Sequence, residues 1–423
     1  MRGFLLSFES WASSAMTAAL LFVSVYLCVK LRGFHLIHPI KTLRHAFSEN
    51  GRGQVKALFM ALGGTLGVGN IVGVALAIIY GGAGSVFWMW LSAILVMIIK
   101  YAEVVLAKKY RRKTPEGYEG GAMYYIERGV KSQTLALIFG LLCILCAPIV
   151  GALIQANAIS ECVGEIFGKG QLLAGVTVAL PVLFISIGGH KRISGIISAI
   201  VPIMSVLYVG MSLAVICYHF DSVPAVFERI FSEAFTFRSA VGGAVASAPL
   251  AIRYGVSRGM FSNEAGMGTA PMAHASADSS PIAQGVMGMI EVFVDTVLMC
   301  TLTALAILCV TDSYGGGNAM SLVIRSFSSV FGTSAGALVF VEMFFFAFAT
   351  MVLWVYYGQV AVRYFSQRKW IANIFTVIYC MTIIIGFCID ESYAWRICDL
   401  LSAAMTLINL FAIVKLSDEI PTI

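Results

Sequence analysis

The chain has 423 residues, of which 59% are hydrophobic and only 12% are charged, with a formal net charge of +6. Because soluble domains carry about 25% charged residues, this chain has too few to cover the surface of a water-soluble globule. Its mean hydropathy of +0.88 is typical of a protein whose main solvent is lipid. The composition therefore excludes a soluble globular protein and predicts a membrane protein.

Apolar segments long enough to cross a bilayer recur along the chain. A spanning helix needs about 20 mostly apolar residues, because the hydrocarbon core is about 30 Å thick. On this criterion we predict an all-α polytopic protein with about eleven transmembrane helices. The predicted spans are 13–31, 57–80, 84–107, 134–158, 171–188, 195–218, 241–275, 283–310, 336–362, 371–388 and 394–415. No small-residue cleavage site follows the first, so we predict that it is retained rather than removed as a signal peptide.

The distribution of basic residues predicts the orientation of these helices. Cytoplasmic loops of membrane proteins carry an excess of lysine and arginine. Here 19 of the 28 basic residues fall in the loops after spans one, three, five and nine, or at the end of span eleven. We therefore predict a multi-pass membrane protein with its N-terminus outside and its C-terminus in the cytoplasm. The positive charge thus reflects topology, and no nucleic-acid partner is predicted.

Two of the predicted spans are interrupted by glycine and other small residues. Residues 63–70 read Gly-Gly-Thr-Leu-Gly-Val-Gly-Asn, and residues 262–271 read Ser-Asn-Glu-Ala-Gly-Met-Gly-Thr-Ala-Pro. The segments lie five spans apart, so they cross the membrane in opposite directions. Glycine-interrupted helices at corresponding positions of two halves indicate the binding site of a transporter. The freed amides would hold a carboxylate, and the freed carbonyls would hold a cation such as sodium.

Close helix packing is a simpler interpretation of the same glycines. Gly69 and Gly73 form a GxxxG pattern, which commonly lets membrane helices approach each other. Packing explains one segment well, but a matched pair in opposite orientations favours a transport site. A dinucleotide-binding motif is excluded, because Val72 stands where a further glycine is needed and no strand precedes the segment.

Longer runs in and around these segments resemble a known family. They are Arg258–Pro271, Gly81–Trp90, Gly120–Ile126 and Trp354–Gly358. In these runs the chain resembles the alanine/glycine:cation symporters, over residues 55 to 410. The resemblance implies a leucine-transporter-like fold, in which two inverted repeats of five helices follow one extra helix and the first and sixth core helices are broken. We therefore expect a single transporter domain over 1–423, with the extra helix at 1–35, one repeat near 55–220 and the other near 221–415.

The resemblance also implies a role for individual residues. The substrate site would include Gly63, Gly64, Thr65, Asn70, Gln155, Asn157, Phe261, Ser262, Gly266 and Trp354. Sodium would bind to backbone carbonyls at Gly64 and Gly67 and to the hydroxyl of Thr350. The rings of Phe261 and Trp354 would restrict the substrate to a small side chain.

Acidic residues inside membrane helices are costly and are functional hypotheses by default. The interrupted and later spans contain Glu264, Glu291, Asp295 and Asp399. Glu264 is expected either to cap helix amides or to act in transport, and Asp295 is a candidate for a proton relay. Lys100 and Glu103 lie three residues apart on one helix, so we expect them to pair. Arg258 is expected to pair with Glu264 or Asp295.

The function that these observations favour is sodium-coupled symport of alanine or glycine into the cytoplasm by alternating access. A proton-coupled symporter of another small neutral amino acid remains open. A channel is disfavoured, because neither repeated pore-lining charges nor a repeated carbonyl filter stands out. A membrane enzyme is disfavoured, because an HExxH motif is absent from the sequence and no span carries a paired-histidine ligand site. The predicted partners are the amino acid, the co-transported sodium ion and the lipid bilayer, which the resemblance implies to be a bacterial or archaeal plasma membrane.

Overall fold

The computed structural model describes residues 2–47, 52–115, 117–167, 171–236, 247–311, 318–389 and 391–423. Nearly all of this backbone is helical, as expected in lipid, where a helix satisfies its amides and carbonyls within its own segment. The exception among the described elements is a small antiparallel hairpin, β1 (Arg112–Thr114) and β2 (Gly117–Glu119), in which Lys113 pairs with Tyr118. The all-α class is confirmed.

The helices follow one another with short connections. The first eleven are α1 (Arg2–Lys30), α2 (Phe34–Ile37), α3 (Pro39–Ala46), α4 (Arg52–Thr65), α5 (Val74–Gly81), α6 (Gly84–Lys109), α7 (Ala122–Arg128), α8 (Gln133–Cys146), α9 (Ile154–Phe167), α10 (Gln171–Ile187) and α11 (Gly189–Tyr218). The others are α12 (Val223–Phe235), α13 (Ser247–Asn263), α14 (Pro271–Ala275), α15 (Pro281–Val292), α16 (Thr301–Leu308), α17 (Ala319–Phe331), α18 (Ala335–Phe365), α19 (Lys369–Gly386) and α20 (Glu391–Lys415).

Within the described residues, wider π-helical turns interrupt three of the long helices, at Gly69–Gly73, Ala147–Leu153 and Phe293–Cys300. Such turns are rare and are frequently found at functional sites. Short 3-10 turns at Phe220–Ser222, Gly332–Ser334 and Ser417–Glu419 occur at helix ends instead. The three π turns therefore mark a part of the membrane interior where regular helix geometry is given up.

Most of the predicted spans correspond to membrane-length helices. Eight helices of the described residues are long and apolar enough to span a membrane, and the bent pair Gly53–Thr65 and Gly69–Gly81 raises the number to nine. Of the other two predicted spans, the fifth is α10, whose 17 residues fall short of that length. The seventh divides into α13 and α14, and its predicted first residues, 241–246, lie outside the described residues. The number eleven therefore stays a prediction.

The outer surface is apolar, as a lipid-facing surface must be. Phe22 is 74% exposed, Phe184 is 67% exposed and Val206 is 71% exposed, which would be unfavourable in water and is favourable against acyl chains. The buried interior lies around α6 and α18. Helix α6 packs against α13 and α15, and α18 packs against α4, α9 and α11. The π turn at Gly69–Gly73 packs against α13, so the two interrupted helices meet inside the protein.

Candidate functional site

The first break begins where α4 ends at Thr65. The helix axis bends by 57° between Gly53–Thr65 and Gly69–Gly81. Side chains replace the lost helical partners of the freed amides. Gly67 N–H donates to Asn70 Oδ1 at 2.9 Å, and Val68 N–H donates to Gln155 Oε1 at 3.1 Å. The unwound backbone is therefore fixed by two amide side chains, as a buried helix end requires.

Thr350 of α18 lies against the same break. Its hydroxyl is 3.2 Å from the carbonyl oxygen of Leu66 and 3.0 Å from that of Phe346, one turn earlier on its own helix. A β-carbon at Gly67 would come within 2.6 Å of Thr350 Oγ1 and 3.1 Å of Gln155 Oε1. Glycine is therefore needed at position 67 for α18 and α9 to bring their oxygen atoms to the unwound backbone.

The second break follows Asn263 at the end of α13. Glu264, Gly266 and Gly268 all have positive φ, at 54°, 88° and 77°, a region that disfavours residues with a β-carbon. Gly268 N–H donates to Glu103 Oε1 at 3.0 Å, and Ala265 N–H donates to Asn263 Oδ1 at 2.9 Å. Here too, buried side chains satisfy amides that the helix no longer pairs.

A polar bridge on the helix after the second break connects the two interrupted helices. Asn70 Nδ2 donates to Asp295 Oδ1 at 2.8 Å, and Asn263 Nδ2 donates to Thr296 Oγ1 at 3.0 Å. Thr303 Oγ1, two turns further on, donates to the carbonyl of Asn70 at 2.7 Å. Asp295, Thr296 and Asn70 are fully buried. These hydrogen bonds therefore couple the positions of the two broken helices.

Several predicted site residues meet at the first break. Gly69 brings the two interrupted helices into contact, because its β-carbon would lie 3.1 Å from Ser262 Cα and 3.2 Å from Phe261 Cδ1. The Phe261 ring in turn lies 4.6 Å from the ring centre of Trp395. By contrast, a β-carbon at Gly73 would meet nothing within 4 Å. Close helix packing therefore explains the glycine at position 69. It does not explain the glycine at position 73, so the two do not act together as a GxxxG packing motif.

Other predicted residues do not face the unwound backbone of the first break. A β-carbon at Gly63 would meet Ile197, and one at Gly64 would meet Leu353 and Tyr357. The Thr65 hydroxyl bonds its own helix, 3.4 Å from Ala61 O. Gly266 faces Leu20 and Thr406, with Asn409 Nδ2 donating to its carbonyl at 2.9 Å. The glycines at positions 63 and 64 thus allow close packing of the helices.

Gln155 and Asn157 point to different neighbours. Gln155 reaches Val68 N–H, whereas Asn157 Nδ2 donates to the carbonyls of Gly386, at 3.4 Å, and Ile389, at 2.5 Å. Residues two apart on a helix face roughly opposite directions. Only the amide of Gln155 therefore reaches the first break, and Asn157 caps the end of α19.

Trp354 connects α18 to the second break rather than to the first. It is completely buried, and its indole Nε1 donates to Glu264 Oε1 at 2.8 Å. Its Cβ is close to Gly151, where a β-carbon would approach it to 2.1 Å. Trp354 and Thr350 stand one turn apart on α18, so this helix contacts both breaks.

Two predicted ion pairs are wrong. Lys100 Nζ lies 3.5 Å from Glu291 Oε1, on another helix, and not against Glu103. Arg258 pairs with Asp399, 141 residues away, and its guanidinium lies 4.5 Å from the ring centre of Trp395. Local spacing misled the first prediction, because a fully buried lysine takes the carboxylate that tertiary packing supplies.

Sequence reasoning also left some contacting residues without a role. Asn263 and Thr296 belong to the bridge, and Thr303 binds the carbonyl of Asn70. Asn263 stands inside the interrupted segment, so its position already gave a signal. Thr303 is a polar residue in an apolar run, a weaker signal. Nothing in the sequence indicated that Trp395 packs on Phe261.

A cavity of about 770 Å³ opens on the face that carries most of the basic loops. Its lining includes Glu119 of the hairpin, Lys191 at the start of α11, and Gln359 and Arg363 of α18. Arg363 Nε donates to Glu119 Oε1. The hairpin is thus tied to the helix that carries Thr350.

Comparison with known proteins identifies the kind of protein that contains this site. The model of the sodium:alanine symporter family matches residues 4–422. The chain belongs to the sodium:alanine symporter family. It is 34% identical over 427 residues to the sodium/alanine symporter AgcS of Methanococcus maripaludis, covering 96% of this chain and 92% of that protein. It is 32% identical over 419 residues to the probable sodium/glutamine symporter GlnT of Bacillus subtilis, covering 97% and 87%.

A solved structure supports the fold of this family member. The crystal structure of MhsT in complex with L-phenylalanine superimposes with a TM-score of 0.63 at 16% identity, covering 86% of this chain and 88% of that one. At this identity the likeness concerns the fold alone. The chain is therefore a multi-pass secondary transporter with a leucine-transporter-like fold, as the resemblance in the sequence implied. The repeat boundaries and the orientation in the membrane remain predictions.

Proposed function

We propose that this symporter carries a small neutral amino acid, alanine or glycine, into the cell together with sodium, by alternating access. The observation that carries the proposal is the position of the Thr350 hydroxyl, 3.2 Å from the carbonyl of Leu66 at the first break. Hard cations bind oxygen ligands, and unwound carbonyls of discontinuous membrane helices coordinate sodium in transporters. In this proposal both oxygen atoms coordinate the sodium ion, the hydroxyl through a lone pair while it keeps its hydrogen and donates it to the carbonyl of Phe346.

The amino acid would bind next to the same unwound backbone. Freed amides at a helix break favour a carboxylate, and the substrate carboxylate would take over the N–H groups of Gly67 and Val68, which donate to side chains in this conformation. Phe261 and Ser262 approach this segment closely at Gly69. The little space left there favours a substrate with a hydrogen atom or a methyl group as its side chain. Among the relatives, AgcS is named for alanine and GlnT for glutamine, so substrate choice needs a direct test.

Uptake into proteoliposomes tests the proposal. Labelled L-alanine is supplied with an inward sodium gradient alone, an inward proton gradient alone, or neither. We expect uptake with the sodium gradient, and a large loss of it in Thr350→Ala. The matched control is Thr382→Ala, because Thr382 makes the same bond to the carbonyl four residues earlier but is partly exposed on α19.

Each result separates the proposal from its alternatives. Uptake driven only by protons would move the coupling ion away from Thr350 and favour proton-coupled symport. Sodium-driven uptake of glutamine but not of alanine or glycine would retain the sodium site and reject the small substrate. Equal losses in Thr350→Ala and Thr382→Ala would mean that the hydroxyl at 350 has no special role.

We also propose the inverted repeats near 55–220 and 221–415, and the cytoplasmic location of the face with the hairpin. The first interrupted helix lies in one proposed repeat and the second in the other, as an inverted repeat with matched breaks requires. The cavity on the basic face would then be part of the route by which substrate leaves. A C-terminal epitope tag that proteases remove from inside-out vesicles but not from right-side-out vesicles would support this orientation, and the reverse result would reject it.

A further inference from the structure

Glu264 is an acidic side chain held inside the protein between neutral partners. It is 2% exposed and lies in the unwound segment after α13. Trp354 Nε1 donates to its Oε1 at 2.8 Å, and Thr269 Oγ1 lies 2.6 Å from its Oε2. Both carboxyl oxygens are therefore engaged, and neither partner carries a charge.

Among the described residues, no lysine, arginine or histidine forms an ion pair with Glu264. The base whose charge acts on Glu264 is Lys100, and its ammonium group is 3.5 Å from Glu291 Oε1. The other oxygen of Glu291 lies 2.8 Å from His274 Nε2. Lys100 and His274 are thus both engaged by Glu291. A carboxylate buried in a membrane protein without a paired cation is strongly disfavoured.

The charges around Glu264 do not balance if every carboxyl is ionised. The ionisable groups that face the second break from the surrounding helices are Lys100 and Glu103 on α6, Cys143 and Cys146 on α8, Glu291 on α15 and Tyr357 on α18. Together with His274, which contacts Glu291, this set holds two bases, while Glu264 adds a third carboxyl to Glu103 and Glu291. At least one of these carboxyls therefore needs either a bound cation or a proton.

The hydrogen-bond partners identify which carboxyl can hold the proton. An indole N–H only donates, so Oε1 of Glu264 must accept. A hydroxyl can accept as well as donate, so Oε2 can carry a hydrogen and donate it to Thr269. Glu103 differs, because its Oε1 accepts from Gly268 and Asn409, which favours the carboxylate, and among the described residues its Oε2 has no partner to which a hydrogen could be donated. We propose that Glu264 is a proton-binding site of this symporter, protonated on Oε2 in this conformation.

The ionised alternative satisfies the same distances at a greater cost. Thr269 would then donate to Oε2, and the negative charge would remain buried without a counter-ion. With the proton in place, the Thr269 hydroxyl hydrogen lacks an acceptor among the described residues, which is a smaller penalty than an unpaired charge. The neutral carboxyl keeps the bond to Trp354, which stands one turn after Thr350 on α18. The bond to Trp354 is made in either state, so protonation removes the buried charge without releasing the second break from the helix of the proposed sodium site.

Infrared difference spectroscopy of the purified protein tests the proton without any substrate. Glu264→Gln imitates the protonated acid, since its carbonyl can accept from Trp354 and its amide can donate to Thr269. Subtracting the variant spectrum from that of the wild type at neutral pH should leave the carbonyl band of one protonated carboxyl. Glu119→Gln is the control, because Glu119 pairs with Arg363 and should leave a carboxylate band. A carboxylate band for Glu264 would overturn the proposal.

A second variant tests the same proton in case the Glu264→Gln variant does not fold. Thr269→Val removes the acceptor of the proposed Oε2 hydrogen and should move the protonated-carboxyl band to higher frequency. If Glu264 is ionised, this part of the spectrum stays unchanged, and that result also overturns the proposal.

The transport measurement rests on the proposed function. Above the pH at which Glu264 begins to lose its proton, the protonated fraction falls by up to about tenfold per pH unit. Sodium-driven alanine uptake by the wild type should therefore decline as pH rises, while Glu264→Gln should keep its uptake over the same range. A folded glutamine variant that loses uptake, or needs much more sodium, would show that the charge is required and would reject the proton site. Absence of uptake in the wild type counts against the proposed substrate alone, and the infrared result still decides the proton.

Discussion

Gly67→Ala is expected to weaken sodium binding strongly, because the new methyl group has no room. The added β-carbon would lie 2.6 Å from Thr350 Oγ1, about 0.8 Å short of an ordinary van der Waals contact, and 3.1 Å from Gln155 Oε1. Inserting a methyl group into a packed interior costs about 1–3 kcal/mol. If the methyl group destabilises the sodium-bound form by this amount, the affinity for sodium falls about 5- to 150-fold, since 1.4 kcal/mol is about tenfold.

The assay is the sodium concentration that gives half-maximal alanine uptake in proteoliposomes. Gly73→Ala is the matched control from the same interrupted helix, because a β-carbon there meets nothing within 4 Å and alanine favours a helix over glycine. We expect the sodium requirement to rise in Gly67→Ala and to stay unchanged in Gly73→Ala. An unchanged requirement in a folded Gly67→Ala variant would refute the argument that α18 touches the sodium ion at this break.

Three further variants test separate features. Asp399→Asn leaves the buried guanidinium of Arg258 without its partner, and should lower the free energy of unfolding by about 3–5 kcal/mol; an unchanged melting temperature in detergent would contradict this pairing. Gln155→Ala should raise the sodium concentration needed for half-maximal uptake. Asn157→Ala should leave that concentration unchanged and lower the free energy of unfolding by about 1–3 kcal/mol. A raised sodium requirement in both variants would mean that Asn157 also contributes to the site. A hydrogen bond from Lys109 holds the pKa of Glu419 below its ordinary value. The carboxylate of Glu419 therefore stabilises the folded state at pH values above its pKa in the unfolded chain, and this stabilisation is lost as the pH falls through its pKa in the folded state. The melting-temperature difference between wild type and Glu419→Gln should accordingly vanish in acid, and a difference that grows there would reverse the sign.

The positions of the two breaks were predictable from the sequence because they depend on local chemistry. Glycine at 67, 266 and 268 provides the conformations or the close approaches that these segments need. Apolar length likewise predicted the membrane helices, since the bilayer sets a minimum length for each. The family resemblance rests on the same segments, so it was available before any contact was known.

Which side chains meet at the breaks was decided only by the tertiary structure. Gln155 and Asn157 are chemically alike and two residues apart, and only the packing of α9 determines that Gln155 faces Val68. Lys100 has an acidic neighbour three residues along its own helix, yet it pairs with Glu291. Such partners come from helices far apart in the chain, and a buried charge or amide takes whichever partner the packing brings within hydrogen-bond distance.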